Sequence, residues 1–169
     1  MANGGELLFT HGQNWDETGQ YAEHLTAAAF DGVGAHLIDR LALPLTWPHP
    51  MEFSAEGVVF LGRAPEGEDT NPTLESYVVS LDGRFSRVAS LPLEQPVEAI
   101  ANTGSLLVTM ARGNQFGFYE PLAALPGLGV GSLTACVWAE PGQGVGDPER
   151  GFWLPLGVYG AVRIPVAAP

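Results

Sequence analysis

Residues 76–96 read SYVVSLDGRFSRVASLPLEQP. An apolar run leads to Asp82-Gly83 and a second run follows it. Asp-Gly between two such runs is a hairpin signal, because both turn positions tolerate positive φ. After the turn, Phe85, Val88 and Leu91 are interleaved with Arg84, Ser86, Arg87 and Ser90, the near-alternation of a half-buried strand. LPLEQP then ends the strand, since proline cannot donate to a β-ladder. Residues 24–48, HLTAAAFDGVGAHLIDRLALPLTWP, follow the same plan, and the two LPLxxP phrases begin 48 residues apart, at 43 and 91.

The likeness continues past each phrase. The first copy goes on as HPMEFSAEG and VVFLGRA, the second as VEAIANTG and SLLVTMARG. The opening of the chain, NGG then ELLFTHG, supplies a third instance of the later part. Apolar strands are therefore predicted to begin at Glu6, Val58 and Ser105, each just after a glycine. One unit holds four antiparallel strands, and LPLxxP is the joint that turns the chain into the next unit. A period in the forties with four strands per unit resembles a β-propeller blade. The resemblance covers residues 3–120 and rests on turns and alternation, with neither the Trp-Asp closure of WD40 repeats nor the paired glycines of kelch repeats.

The expected fold is a single all-β domain over 1–169, with antiparallel four-stranded repeats that are propeller-like or form an open β-barrel or sandwich. The units run over 3–48, 49–96 and 97–120, and 121–169 is irregular. Within that last part, PLAALPGLGVG reads as a turn-rich connector, LTACVWAE as a strand and PGQGVGDPERG as a loop. The first unit lacks its opening strand, and AVRIPV at 161–166 is expected to supply it, an exchange between the chain termini. YAEHLTAAAF at 21–30 is read as a strand by its alignment with SYVVSLDG, although its alanines favour a helix.

Composition narrows the function. Hydrophobic residues make up 46% and charged residues 15%, which suits a packed core rather than a disordered chain. The net charge is −12 and every basic residue is an arginine, a sign of coding bias. No basic cluster faces a phosphate backbone, so nucleic acid is not an expected partner. Cys136 stands alone in an apolar setting and is read as a small buried hydrophobe. No signal peptide and no run near the roughly 18 apolar residues of a membrane span is found. The chain is expected in the cytoplasm or assembled into a particle.

The histidines at 11, 24, 36 and 49 lack the close pair that zinc sites use, and no metal site is assigned. Acidic residues gather in the loops after the second strands: Asp16 and Glu17 beside Trp15, then Glu66, Glu68 and Asp69. In a blade arrangement these loops share one face. That face is the expected partner-binding surface, with Trp15 as anchor because tryptophan is enriched at interface hot spots. EGEDTN could offer oxygens to calcium but does not match an EF-hand. No G-x-S-x-G, Walker loop or GxGxxG is present, so no catalytic residue and no cofactor is assigned. The first reading is a non-enzymatic structural or interaction module that assembles with itself or with other protein subunits. In composition it resembles phage or virus particle proteins of the tail or capsid-decoration kind. Two alternatives stand beside it. One is a metal-dependent hydrolase or lactonase, since propellers of that type hold a central cation, here with Glu17, Glu66, Asp69 and Asn71 as candidates. The other is a soluble ligand or peptide receptor built on Trp15.

Overall fold

A computed structural model of the chain describes residues 6–15, 18–43, 51–53, 57–64, 71–80, 82–134, 141–147 and 151–167. Among them the fold is all-β, with four antiparallel sheets that follow one another along the chain. Sheet 1 holds β1 (Glu6–Trp15), β2 (Tyr21–Phe30) and β3 (Ala35–Leu43). Sheet 2 holds β4 (Met51–Phe53), β5 (Val58–Arg63), β6 (Thr73–Val79) and β7 (Phe85–Pro92). Sheet 3 holds β8 (Val97–Asn102), β9 (Leu107–Ala111), β10 (Gln115–Tyr119) and β11 (Gly127–Ser132). Sheet 4 holds β12 (Val145–Asp147), β13 (Gly151–Pro155) and β14 (Ala161–Ile164).

The hairpins form where the sequence signals them. Asp31-Gly32 joins β2 to β3 and Asp82-Gly83 joins β6 to β7, with φ of 93° at Gly32 and 82° at Gly83. Asp31 fixes its turn through its own carboxylate, which accepts from the backbone N–H of Val33 at 2.9 Å and Gly34 at 2.8 Å. Those two donors, with His36 at 3.2 Å, hold the Asp31 carboxyl down at about 2. Tyr21–Phe30 is a strand despite its alanines, because it pairs along its length with β1 on one side and β3 on the other. Pairing on both edges outweighs a propensity of tenths of a kcal/mol per residue. LPLEQP spans the passage from Pro92, the end of β7, to Val97, the start of β8, and so joins sheet 2 to sheet 3. Beyond Leu43 the first copy lies outside the described residues.

Three expectations need correction. GLGVGS, read as connector, is β11 and pairs with β10. Its glycines depress strand propensity, yet a Cβ on Gly131 would come within 2.8 Å of the Ile164 side chain, so close packing requires the glycine there. The loop reading of 141–151 gives way to a 3-10 turn at Pro141–Gln143, the short strand β12, and Gly151 at the start of β13. AVRIPV does not reach β1. Its β14 part pairs with β13, and the chain then returns to β11 through paired bonds between Val130 and Ala167 at 2.8 and 2.9 Å. Of LTACVWAE, only Leu133 and Thr134 are described, and neither is in a strand.

The sheets stack face to face in chain order. Leu25 and Leu43 of sheet 1 pack with Val59, Leu61 and Tyr77 of sheet 2. Val58, Phe60 and Leu74 turn the opposite face of sheet 2 to Val97, Ile100, Leu107 and Tyr119 of sheet 3. Val108, Phe116 and Phe118 then meet Phe152, Leu154 and Ile164 of sheet 4. A polar clasp crosses each interface: Phe85 N–H to Asp39 at 2.9 Å, the Ser76 hydroxyl to the Ala123 carbonyl, and the Ser105 hydroxyl to the Gly146 carbonyl at 2.8 Å.

Phe60→Ala is expected to cost about 3–5 kcal/mol in chemical denaturation, since it empties a fully buried site between two sheets. Val88→Ala, on an exposed position, should stay within about 0.5 kcal/mol. Asp31 should titrate by NMR near 2 rather than at the ordinary 3.8. Its folded value is the lower one, so its contribution is present above 3.8 and is lost as pH falls toward 2.

Candidate functional site

The expected partner face begins at the end of β1. Trp15 is 71% exposed and sits directly across the hairpin from Tyr21. Their rings lie 5.4 Å apart, and the Tyr21 hydroxyl donates to Gln13 Oε1 at 3.0 Å. Tyr21 was not singled out by sequence, although the pairing of a ten-residue hairpin would have placed it there. Asp16, Glu17, Glu66, Glu68 and Asp69 lie outside the described residues. Asn71 is exposed just before β6. Phe9 of β1 meets Phe85 of β7 edge-on at 6.2 Å across the interface of sheets 1 and 2.

Around Glu75 and Glu23 the interface of sheets 1 and 2 turns polar. Glu75, buried on β6, accepts from the Tyr77 hydroxyl at 2.6 Å and from Arg87 Nη1 at 3.2 Å, with Arg63 Nη1 at 3.8 Å. Burial, and donation to the Glu75 carboxylate, push the Tyr77 hydroxyl up to about 12. Three donors surround this carboxylate, which suits a buried charge that stays put. Across the interface Glu23 is 1% exposed, with Oε1 2.8 Å from His11 Nε2 and no hydrogen-bond partner for Oε2. Among the described residues, no three His, Cys, Asp or Glu side chains converge as metal ligands.

A second concavity lies at the joint between sheets 2 and 3. Leu91, Pro92 and Leu93 of LPLEQP form one wall, and Thr109, Phe116 and Tyr119 line the rest of a cavity of about 320 Å³. Burial raises the Tyr119 hydroxyl above its usual range, and its hydrogen bond with Thr109 partly offsets that rise. The size is at the lower end for small-molecule pockets. No helix among the described residues is long and apolar enough to cross a membrane.

No protein-family model matches the sequence, and no curated protein matches it. A crystal structure of a protein from Lactobacillus plantarum is similar in fold, with a TM-score of 0.64 at 14% identity. The alignment covers 99% of this chain and 54% of that one, so this chain spans about half the length of that structure. The likeness extends over all four sheets and concerns the β-rich repeat architecture alone.

Tyr77→Phe should destabilise the fold by about 1–2 kcal/mol in urea titration, because it removes a buried donor to a charged acceptor. The folded hydroxyl titrates above its unfolded value. The difference from wild type is therefore expected in full below pH 10, and should fade as pH rises toward 12.

Proposed function

We propose that this chain is a non-enzymatic interaction module that assembles through the outward faces of its two end sheets, first of all with a second copy of itself. The observation that carries this reading is the open stack. Among the described residues, sheets 2 and 3 bury large side chains on both faces, whereas sheets 1 and 4 each pack one face inward. On the outward face of sheet 4, Val145 is 67% exposed and directly opposite Trp153, which is 46% exposed. Such an apolar cross-strand pair is a typical interface anchor. The outward face of sheet 1 mixes small residues, Thr10, Gly12, Ala22, Thr26 and Ala42, with Asn14, His24 and Arg40.

Sheet 4 of one copy seated on sheet 1 of the next, twice, closes a ring of eight sheets by a two-fold axis. The similar solved chain, about twice as long, is consistent with an architecture that needs more sheets than these four. Trp15 and Tyr21 remain outside such a ring, on the loop end, where other protein subunits can reach them. The finer reading, a subunit of a phage tail or capsid decoration, draws support from composition.

Size-exclusion chromatography with light scattering tests the assembly. A multiple of 17.9 kDa is expected for the wild type. Trp153→Glu, at a half-exposed position, is expected to give the single-chain mass with an unchanged thermal midpoint. A wild type that stays at 17.9 kDa across concentrations would overturn the reading, as would a Trp153→Glu variant that keeps the wild-type mass.

A further inference from the structure

The outward face of sheet 1 also holds a small polar hollow of about 160 Å³. Strand register builds it. Thr10, Thr26 and Arg40 form one row across the three strands, and Gly12, His24 and Ala42 form the next. A Cβ on Gly12 would meet nothing within 4 Å, so the missing side chain leaves the space open. Asn14 and Gln13 complete the lining.

The chemistry of this lining is one-sided. The chain carries a net charge of −12, yet no Asp or Glu lines the hollow. The side chains that register places on this face can each donate a hydrogen bond: two hydroxyls, the Asn14 amide, an imidazole and a guanidinium. His24 Nδ1 is fully buried and has no hydrogen-bond partner. Unlike Arg63, Arg84 and Arg87, Arg40 makes no ion pair among the described residues.

We propose that this hollow binds a carboxylate. Arg40 supplies the fixed charge and the planar fork that matches two carboxylate oxygens. The Thr10 and Thr26 hydroxyls stand in the same row as Arg40 and can complete the carboxylate's coordination, with His24 in the next row. One guanidinium among neutral donors suits a single negative charge better than a dianion. The volume admits a group of a few heavy atoms. The carboxylate can come from a free small acid or from an acidic side chain of a neighbouring copy. The second source rests on the assembly proposed above, and the first does not.

The test follows the His24 imidazole by NMR while sodium acetate replaces sodium chloride at constant ionic strength, with mass measured by light scattering on the same samples. Gly12→Leu fills the hollow without removing a charge, and Arg40→Met removes the charge while keeping an apolar stem. Thermal midpoints confirm folding; should Gly12→Leu fail to fold, Arg40→Met carries the comparison. A saturable His24 shift in the wild type that both variants lose supports a free-acid site, even if the wild type is a monomer and the assembly is wrong. No saturable shift, with an assembled wild type that both variants reduce to 17.9 kDa, supports an acidic side chain from a second copy. No saturable shift with masses unchanged by the variants overturns the inference, and so does a shift that persists in folded variants.

Discussion

The structure depends on strands whose successive side chains serve two different neighbours. Val58 and Phe60 of β5 point into the interface with sheet 3, while Val59 and Leu61 point into the interface with sheet 1. In sheet 3 the split repeats, with Leu107 on one side and Leu106 and Val108 on the other. A strand of this kind reads as a continuous apolar run, because both of its faces are dry. No inner sheet can shield itself from water, so each requires a neighbour on either side. Stability therefore comes from the stack as a whole, which among the described residues begins with sheet 1 and ends with sheet 4.

Polar groups occupy the places this packing allows. Glu75, Arg63 and Arg87 gather where the apolar contact of sheets 1 and 2 gives out, and the Tyr77 hydroxyl completes the set. A buried carboxylate is tolerable when several donors surround it. Glu23, on the opposing sheet, has His11 on one oxygen and nothing on the other. The single hydrogen bonds that clasp sheet to sheet tie backbone carbonyls, a backbone N–H and side chains across each interface. They fix how the faces register, which apolar contact leaves loosely defined.

On the proposed reading, function belongs to faces and ends more than to a central cleft. The end sheets differ in kind. Sheet 4 shows an indole and a valine side by side, and sheet 1 shows small residues around a hollow rich in donors. A surface of the first kind seeks apolar cover, and one of the second seeks a defined polar group. On the proposed assembly, their location at opposite ends of one stack makes them counterparts.

Much of the frame was legible in the chain itself. The Asp-Gly turns, the apolar runs after glycine and the LPLxxP joint are local signals, since turn conformation and proline's missing N–H act within a few residues. They mark most strand starts of sheets 1 and 2 and the first three strands of sheet 3. Trp15 stands exposed at the end of a strand whose start these local signals mark. The last quarter was not legible: GLGVGS and VGD have poor strand propensity and become strands only because β10 and β13 offer ladders to them. The partner of AVRIPV was equally hidden, as pairing between distant segments depends on which edges the stack leaves open. The donor-lined hollow is the clearest such case. Thr10, Gly12, His24, Thr26 and Arg40 carry no motif in sequence, and only the register of three strands sets them around one space. The sequence determined the unit and its joints through local backbone chemistry. The tertiary structure decided which faces meet, which remain open and which side chains converge, because those outcomes follow from non-local packing.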